Sequence, residues 1–301
     1  MRVIYGLTNL KPLNKRPAVA LGVFDGLHRG HRKIITRLLK EAKKLHAKSF
    51  VVTFFPHPQK ENSLYSLNHR LNLLDELGVD LCLVIRFTPA LRRVTAAGFL
   101  EGILIKKINP AVVLIGRNFT FGRHAHGGWK MLEGYSQTAK FKLIIIDVLR
   151  RNNKPISSSW IRGLIKAGKF RQAHALLGRP VTIFGRVSRG YRFARKLGYP
   201  TANIFPEHEI FPPSGVYAVR VRWSNKIFAG ICYIGNRPTI NASNKISIEV
   251  HVFDFKANLY RRNVQIEFIK KIRPQKKFSS VQALASQIKR DIRLCPAAPV
   301  K

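Results

Sequence analysis

Apolar runs alternate with helical patterns along the first half of the chain. Each run has the length of a buried strand, and each is followed by a stretch whose apolar residues recur at helical spacing. This alternation is typical of a parallel sheet with helices on its faces, an α/β domain. The predicted strands are Ala18–Val23, Phe50–Phe55, Leu81–Phe87, Val112–Gly116 and Leu143–Val148, and the predicted helices cover 29–46, 68–77, 95–107 and 127–138.

The pattern changes after Gly178-Arg179-Pro180. Runs rich in Val, Ile and Phe follow, with partial alternation and with Gly, Pro and Asn between them. They predict an antiparallel β-barrel closed by a helix from Ser279 to Ile292. We therefore expect two domains, 1–178 and 179–295. The predicted barrel strands are 181–187, 216–223, 227–234, 246–255 and 264–272.

The segment that joins the first predicted strand to the first helix reads Gly22-Val-Phe-Asp-Gly-Leu-His-Arg-Gly-His31. His28 and His31 fall in the first helical turn, where free backbone N–H groups and the helix dipole attract a phosphate. Gly26 and Gly30 would let a nucleotide approach the backbone. A pair of surface histidines is the plain alternative, which the strand-turn-helix context disfavours. A zinc site is disfavoured because no third ligand lies nearby.

Two more motifs follow predicted strands at the same sheet edge. These are Thr53-Phe-Phe-Pro-His-Pro58 and Ile115-Gly-Arg-Asn-Phe-Thr-Phe-Gly122. The carboxyl edge of a parallel sheet is where ligands bind, so the motifs favour a binding crevice there. Either motif alone would be an ordinary turn.

A helix start at Pro155-Ile-Ser-Ser-Ser-Trp-Ile-Arg162 offers a second anion contact. Ser157 or Ser158 can cap this helix, and its free N–H groups, together with Arg162, can face a phosphate. A well-capped helix with no ligand is the alternative that the residues leave open.

Charge is the extreme feature of the composition. The chain has 54 Lys and Arg against 15 Asp and Glu, a net charge of +39. The excess is even, with 31 basic and 9 acidic residues in 1–178 and 23 and 6 in 179–301. An even spread excludes a dedicated basic tail and favours solvated surface charge, although non-specific polyanion binding at low salt is expected. No nucleic-acid-binding motif accompanies the charge.

The apolar runs and the cysteines bear on the compartment. No run reaches the roughly 18 residues of a membrane helix, and Met1–Tyr5 is expected to begin the fold rather than a leader. Cys82, Cys232 and Cys295 are far apart and odd in number. They predict buried thiols in a reducing cytoplasm, with no membrane contact. The oligomeric state is left open.

The motifs of both halves resemble the bacterial bifunctional riboflavin kinase/FAD synthetase family, in family order over nearly the whole chain. The resemblance implies a Rossmann-like nucleotidyltransferase domain followed by a riboflavin kinase barrel. Riboflavin would be phosphorylated by ATP to FMN, and FMN adenylylated to FAD with release of pyrophosphate. In the first half, the motifs that carry the resemblance are Gly22–His31, Phe55–Pro58, Gly116–Gly122 and Ile156–Arg162. In the second half, they are Leu197–Asn203, Pro213–Tyr217, Ile234–Thr239 and Glu249–Phe255.

The resemblance also implies site residues for each reaction. In the adenylyltransferase half, ATP would be held by Gly22, Phe24, Asp25, Gly26, His28, Gly30, His31, Asn118, Ser157, Ser158 and Arg162, and the flavin by Phe55, Pro56, His57, Pro58 and Phe121. His28, His31 and Arg162 would stabilise the transferring phosphate, without a covalent intermediate. In the kinase half, ATP and Mg²⁺ would be held by Gly190, Arg195, Gly198, Pro200, Thr201 and Asn203, and the flavin by Glu249, Arg273, Gln275 and Phe278.

Two kinase assignments fit the chemistry of the residue types. Thr201 and Asn203 offer hydroxyl and amide oxygens, which suit a hard cation such as Mg²⁺. Glu249 would be the base that takes the proton from the ribityl hydroxyl. The alternatives are a polar turn for the first pair and an exposed strand residue for Glu249.

Five positions depart from the family pattern. Asn118 and Gly128 stand where the family usually has Asp, Ala194 replaces a loop glycine, Tyr233 replaces an Asn, and Gln275 replaces a Glu. None of these changes touches Thr201, Asn203 or Glu249. Two further hypotheses therefore remain beside the bifunctional enzyme. Either a single half is active, or the chain is a basic nucleic-acid-binding protein on a degenerate nucleotidyltransferase scaffold.

Overall fold

The structure is a computed structural model that describes residues 1–58, 63–188, 198–207, 210–224, 226–236, 246–255 and 257–296. Gly190, Ala194 and Arg195 lie outside these residues. The chain forms two compact units, the first made of Met1–Ser63 with Leu67–Ser158 and the second of Leu64–Ser66 with Ser159–Lys301.

The strands are β1 (Arg2–Tyr5), β2 (Ala18–Leu21), β3 (Ser49–Phe55), β4 (Leu81–Arg86), β5 (Val112–Gly116), β6 (Lys142–Ile146), β7 (Arg150–Arg151), β8 (Lys154–Pro155), β9 (Val181–Ser188), β10 (Ala202–Pro206), β11 (Gly215–Trp223), β12 (Lys226–Asn236), β13 (Ile246–Val252) and β14 (Asn263–Arg273). The α-helices are α1 (Arg29–Lys44), α2 (Leu67–Glu76), α3 (Pro89–Arg93), α4 (Ala96–Gly98), α5 (Trp129–Thr138), α6 (Ser158–Lys166), α7 (Phe170–Leu177) and α8 (Val281–Arg293). A π-type helix spans Phe99–Ile108, and short 3₁₀ turns cover Leu7–Asn9, Asp25–Leu27 and Arg123–Ala125.

The first unit contains a six-stranded sheet in the order β1-β4-β3-β2-β5-β6. Every pair in it is parallel, which confirms the predicted sheet. Strand β1 is an addition to the prediction and pairs with β4 at the edge. Because β2 has β3 on one side and β5 on the other, the strand order reverses at β2. Such a switch point opens a crevice at the carboxyl ends of the two strands.

The predicted helix over 95–107 is interrupted in the structure. It is preceded by α3 and begins with the single turn α4, which passes into the π-type helix. Two threonines explain the separate starts: Thr88 Oγ1 accepts from Leu91 N–H at 3.2 Å, and Thr95 Oγ1 accepts from Gly98 N–H at 3.1 Å. Pro89 at the first position of α3 is a further start signal.

The second unit contains a closed barrel of six strands in the order β10-β13-β12-β11-β14-β9, which confirms the predicted antiparallel barrel. The sequence pattern missed β10, because this strand has five residues and ends at Pro206. Its pairs with β9 and β13 close the barrel. Helix α8 follows, with Ser280 Oγ accepting from Ala283 N–H at 3.1 Å as its N-cap.

The cysteines are free thiols. Burial raises the pKa of Cys82 to about 12 and raises that of Cys232 as well, so both stay protonated and unreactive. Cys295 is partly buried. Among the residues described, no helix has the length and apolar character to cross a bilayer.

Asp80 joins the starts of β3 and β4. Its Oδ2 accepts from Ser49 N–H at 2.9 Å and from Ser49 Oγ at 2.7 Å, and its Oδ1 lies 3.2 Å from Lys48 Nζ. Burial acts to raise the pKa of this carboxyl, but the hydrogen bonds from Ser49 and the charge of Lys48 outweigh it and lower the pKa.

We expect Asp80→Asn to lower the free energy of unfolding at pH 7 by about 1 kcal/mol, the value of hydrogen bonds to a charged group that is partly exposed. Because the folded pKa is lowered, the contribution is present above the ordinary value of 3.8 and is lost as the pH falls through the folded value. Urea unfolding at pH 7 and pH 3 measures this. Asp147→Asn, at a fully exposed ion pair with Arg117, is the control and should change little. An equal deficit at both pH values would contradict the account.

Candidate active sites

A cavity of about 880 Å³ opens at the carboxyl edge of the sheet in the first unit. Its walls come from the ends of successive strands: Gly22 follows β2, Phe54 lies near the end of β3, Phe87 follows β4, and Asn118 follows β5. The cavity therefore occupies the crevice that the strand order predicts.

The turn after β2 has an uncommon backbone. Phe24 has a φ of 53° and Gly26 a φ of 72°, both in the left-handed region. Asp25 is 2% exposed, and its backbone carbonyl accepts from Ser158 Oγ at 2.9 Å. The turn is thus closed over a buried carboxylate and is tied to the residue that begins α6.

His28 and His31 lie together at the start of α1. His28 is the N-cap, and its Nδ1 accepts from the backbone N–H of His31 at 3.4 Å. The two rings stack with centroids 3.8 Å apart. The rings of Phe24 and His31 pack edge to face, with their centroids 5.5 Å apart. Because Nδ1 of His28 accepts this bond, the proton of the neutral ring is on Nε2, which can donate to an anion.

Gly26 and Gly30 have roles within the turn itself. The left-handed φ of Gly26 suits glycine. A Cβ at position 30 would lie 3.1 Å from Cε1 of His28, so Gly30 leaves room for the His28 ring. The sequence analysis predicts instead that both glycines allow a nucleotide to approach the backbone.

The second predicted anion contact lies at the start of α6. This helix begins at Ser158, which places Ser157 at the N-cap position. Ser158 lines the cavity and donates to Asp25. Arg162 is partly buried and lies on the same helix, one turn after Ser158.

The motif Phe55–Pro58 contributes to the cavity only in part. His57 and Pro58 line it, whereas Phe55 and Pro56 are not among the described lining residues. Successive side chains of a strand point to opposite faces, so the preceding residue Phe54 is 7% exposed while Phe55 is 44% exposed. Phe54, rather than Phe55, is therefore the ring of this motif that lines the cavity, and a flavin contact at Phe55 stays a prediction.

Aromatic rings form one wall of the cavity. Phe121, a predicted residue, stacks on Phe119 with centroids 5.8 Å apart and lies 5.5 Å from Phe99. Sequence reasoning missed Phe54, Phe99 and Phe119, although Phe119 lies inside the motif after β5. This wall suits a flat, apolar ring system.

Cationic side chains form the rim of the same cavity. Arg92, Arg93 and Arg123 are exposed and line it, and the N–H of Arg123 donates to the carbonyl of Val94 at 2.7 Å. Asp25 is the one acidic residue in the described lining. The rim attracts anions. It could not be predicted from the sequence, because these arginines belong to no recognised motif.

Asn118 and Gly128, the two departures in this half, occupy different places. Asn118 lines the cavity. Gly128 is the N-cap of α5 and supplies no side-chain cap. Glycine at an N-cap is only a few tenths of a kcal/mol worse than aspartate. The change at Gly128 therefore affects a helix end at little cost.

The barrel of the second unit brings one residue from each strand into a single row. Cross-strand partners in an antiparallel sheet share a face. We call these residues the register row: Ser188, Asn203, Glu249, Tyr233, Val216 and Arg273, each paired with the next.

The register row lies on the outer face of the barrel. The neighbours of Glu249 and Tyr233 along their strands are Ile248, Val250, Cys232 and Ile234, all at most 1% exposed and thus directed into the barrel. Three residues that the resemblance implies, Asn203, Glu249 and Arg273, are members of this row. Asn203 is 8% exposed, and Glu249 Oε1 accepts from Ser247 Oγ at 3.2 Å.

Tyr233 is the member of the row that sequence reasoning noted only as a departure. It pairs with Glu249, and its ring lies over Gly235, where an added Cβ would clash with Oη. Burial raises the pKa of Tyr233, Glu249 raises it further, and Arg273 acts in the opposite direction. A protonated phenol thus lies beside the predicted base.

Helix α8 fixes Arg273. Asp291, 2% exposed, accepts from Arg273 Nε at 2.8 and 3.1 Å and from Gln287 Nε2 at 2.8 Å. The guanidinium lies 5.5 Å from the ring centroid of Phe278, another predicted residue. Arg273 reaches its place because the β11–β14 ladder has two register shifts near this end. Gln275 is exposed.

The remaining predicted kinase residues precede β10. Gly198, Pro200 and Thr201 lie there, and the carbonyl of Pro200 accepts from His251 Nδ1 at 2.8 Å. In the described part of the chain no three His, Cys, Asp or Glu side chains cluster as metal ligands. A metal at Thr201 and Asn203 would thus rely on hydroxyl, amide and phosphate oxygens.

Comparisons with known proteins agree with both units. Residues 10–160 match the family model of FAD synthetase, and residues 177–298 match that of riboflavin kinase. The bifunctional riboflavin kinase/FMN adenylyltransferase of Buchnera aphidicola is 38% identical over 98% of this chain and 97% of its own length. The protein of the same name from Escherichia coli is 33% identical over 97% and 96%. A crystal structure described as a macrolide-efflux protein from Streptococcus pneumoniae superposes with a TM-score of 0.83, at 27% identity over 97% of this chain and 98% of its own.

The fold and the matches define the chain first as a nucleotidyltransferase unit joined to a flavokinase barrel. Relatives above 30% identity span nearly the full length. The chain belongs to the bifunctional riboflavin kinase/FMN adenylyltransferase family.

Proposed function

We propose that this chain makes FMN from riboflavin in its barrel and FAD from FMN in its first unit, using ATP for both steps. The observation that carries the proposal is the order of the two family matches, which cover 10–160 and 177–298 and coincide with the two folds.

For FAD formation, the phosphate of FMN attacks the α-phosphorus of ATP and pyrophosphate leaves. The start of α1 offers the positive end of the helix dipole and Nε2 of His28, with His31 stacked beside it. These groups stabilise the charge that develops on the phosphoryl oxygens. Ser157 at the N-cap of α6, with Ser158 and Arg162 on the helix, would hold the rest of the polyphosphate. No covalent intermediate is needed, because positioning and charge stabilisation account for the rate.

The same cavity accounts for flavin binding. The isoalloxazine ring would lie against Phe54, Phe99, Phe119 and Phe121, and the arginine rim would attract the phosphates. His57 and Pro58 complete the wall. The nucleotide would contact Gly22, Phe24 and Asn118.

For FMN formation, Glu249 accepts the proton of the terminal ribityl hydroxyl as that oxygen attacks the γ-phosphorus of ATP, and ADP leaves as the bond to its β-phosphate oxygen breaks. The hydrogen bond from Ser247 orients the carboxylate. Arg273, held by Asp291, and Phe278 would contact the flavin, with Gln275 near them in the chain.

Mg²⁺ fits the residues that precede and begin β10. Asn203 presents an amide in a nearly buried position, Thr201 adds a hydroxyl, and hard cations prefer such oxygens. When bound, Mg²⁺ neutralises charge on the phosphates of ATP.

The decisive experiment is chromatography of the products after the pure chain is incubated with riboflavin, ATP and Mg²⁺. FMN followed by FAD is the expected result. FMN alone would leave a single active half and direct attention to Asn118. No turnover, together with RNA binding that persists at physiological salt, would favour the nucleic-acid-binding hypothesis.

We further propose a domain boundary at 178/179 and a cytoplasmic location, and we expect polyanion binding to be non-specific. The matched ranges end at 160 and begin at 177, and free thiols suit a reducing compartment. Binding of RNA that weakens steeply between low and physiological salt is the expected behaviour of surface charge alone.

Gly30→Ala is expected to lower the rate of FAD formation several-fold, because its Cβ would push the His28 ring out of the stack with His31. FMN formation in the barrel should not change. Steady-state rates of the two reactions measure this. Gly134→Ala in α5, where an added Cβ meets nothing within 4 Å, is the matched control. Equal rates of FAD formation for both variants would contradict the role given to Gly30.

A further inference from the structure

Arg70 on α2 is a buried cation that neither the motifs nor the comparisons single out. It is 2% exposed, and among the arginines that the structure describes it is the one that is fully buried. Burial lowers the pKa of this guanidinium, and the charge of Asp25 acts against that shift. Burying an arginine is costly unless it is well paired, so its contacts indicate what it does.

The guanidinium joins the carboxyl ends of two strands. Nη1 donates to the carbonyl of Val23 and, at 3.2 Å, to Thr53 Oγ1, while Nη2 lies 3.5 Å from the carbonyl of Phe54. The hydroxyl of Thr53 in turn donates to the Val23 carbonyl at 2.9 Å. The Val23 carbonyl thus receives two hydrogen bonds, which fix the direction of the peptide that follows it.

That peptide leads directly into the phosphate-binding turn. The next residue, Phe24, has a left-handed backbone and contacts His31, and Asp25 after it is buried. Non-glycine residues adopt this conformation only where the surroundings hold them. Arg70 holds the first peptide of the turn, whereas His28 and His31 are at its other end.

We propose that Arg70 is a positioning residue for FMN adenylylation, which holds the Val23–Phe24 peptide so that the turn presents His28 and His31 to the reacting phosphate. This inference rests on the proposed function of the first unit. Arg70 does not line the described cavity, so it acts through the backbone rather than on substrate. The same guanidinium sets the position of Phe54, which forms part of the aromatic wall.

The test compares Arg70→Met, Arg70→Lys and Thr53→Val in the full chain. FAD formation from FMN and FMN formation from riboflavin are measured on each. Arg70→Met should lower the kcat of FAD formation at least tenfold, with a smaller change in KM, because a displaced turn loses interactions made in the transition state. Arg70→Lys keeps the charge but cannot reach all three acceptors, so its kcat for FAD formation should lie between those of Arg70→Met and the unmodified chain. Thr53→Val should lower kcat several-fold.

Two controls separate positioning from general destabilisation. Riboflavin phosphorylation by the same molecules should stay within twofold of the unmodified chain. Arg37→Met removes one of two cationic partners of buried Glu41, the one 2.8 Å away on α1, and should lower the melting temperature without lowering kcat. If Arg70→Met fails to fold, Arg70→Lys decides, because it too removes the guanidinium from the Val23 carbonyl. An unchanged kcat in folded Arg70→Met or in Arg70→Lys overturns the proposal.

Hydrogen exchange makes the outcome independent of the proposed function. Mass spectrometry of a peptide covering 22–31 should show faster exchange in Arg70→Lys than in the unmodified chain, with 35–44 of α1 unchanged. If the unmodified chain makes no FAD, the proposed function fails while this measurement still judges the positioning. Unchanged exchange over 22–31 overturns the role of Arg70.

Discussion

Glu249→Gln is expected to abolish FMN formation and to leave FAD formation from added FMN intact. Loss of a general base typically lowers a rate 10²–10⁴-fold. Glutamine keeps the size of the side chain and can still accept the hydrogen bond from Ser247, so the barrel should remain folded. The measurement is chromatography of the two products in separate assays, one started from riboflavin and one from FMN.

Glu267→Gln is the matched control for this experiment. Glu267 is a barrel carboxylate of similar chemistry, 7% exposed and 3.1 Å from Arg222, but it does not belong to the register row. Its removal should lower stability while FMN formation by the folded chain continues. The assignment of Glu249 is wrong if FMN formation persists in Glu249→Gln, or if FAD formation from FMN is lost with it.

His31→Ala is expected to produce the opposite result. Removing one group that stabilises developing phosphoryl charge lowers a rate by about 10²–10³. The His28 ring also loses the partner on which it stacks at 3.8 Å. FAD formation from FMN should therefore fall by about that factor, while phosphorylation of riboflavin continues. Initial rates for each reaction, at saturating ATP, measure the split.

His126→Ala is the control for His31→Ala. His126 is exposed and does not line the described cavity, so its loss should leave both reactions unchanged. Loss of both activities in His31→Ala would argue against independent sites. A normal rate of FAD formation in His31→Ala would contradict a catalytic role for the His31 imidazole.

The sequence predicts the sheet, the crevice at its carboxyl edge and the turn between β2 and α1 because each depends on local pattern. Buried parallel strands are continuous apolar runs, and a helix start is marked by its own residues. Helix α1 and strand β5 accordingly lie close to their predicted bounds. His28 and His31 meet because they are three residues apart at one helix start.

Contacts between distant segments could not be predicted in this way. Arg70 reaches Val23 across 47 positions of sequence, and Arg273 meets Asp291 across 18. The side of β3 that faces the cavity depends on where the strand enters the sheet, so the motif alone could not show that Phe54 lines it. The short strand β10 gains its stability from its neighbours rather than from its own alternation.

The two register shifts in the β11–β14 ladder decide which residue of β14 lies opposite Val216. Val219 pairs with Phe268, and an unbroken ladder from there would place Lys271 opposite Val216. The structure places Arg273 there instead. Deleting residues from β14 to restore regular pairing would make the sheet more regular. It would also place the ammonium of Lys271 where the guanidinium of Arg273 lies, and α8 would lose the contact between Asp291 and Arg273. A change in the number of residues near the end of β14 would therefore disturb the register that brings Arg273 to Asp291.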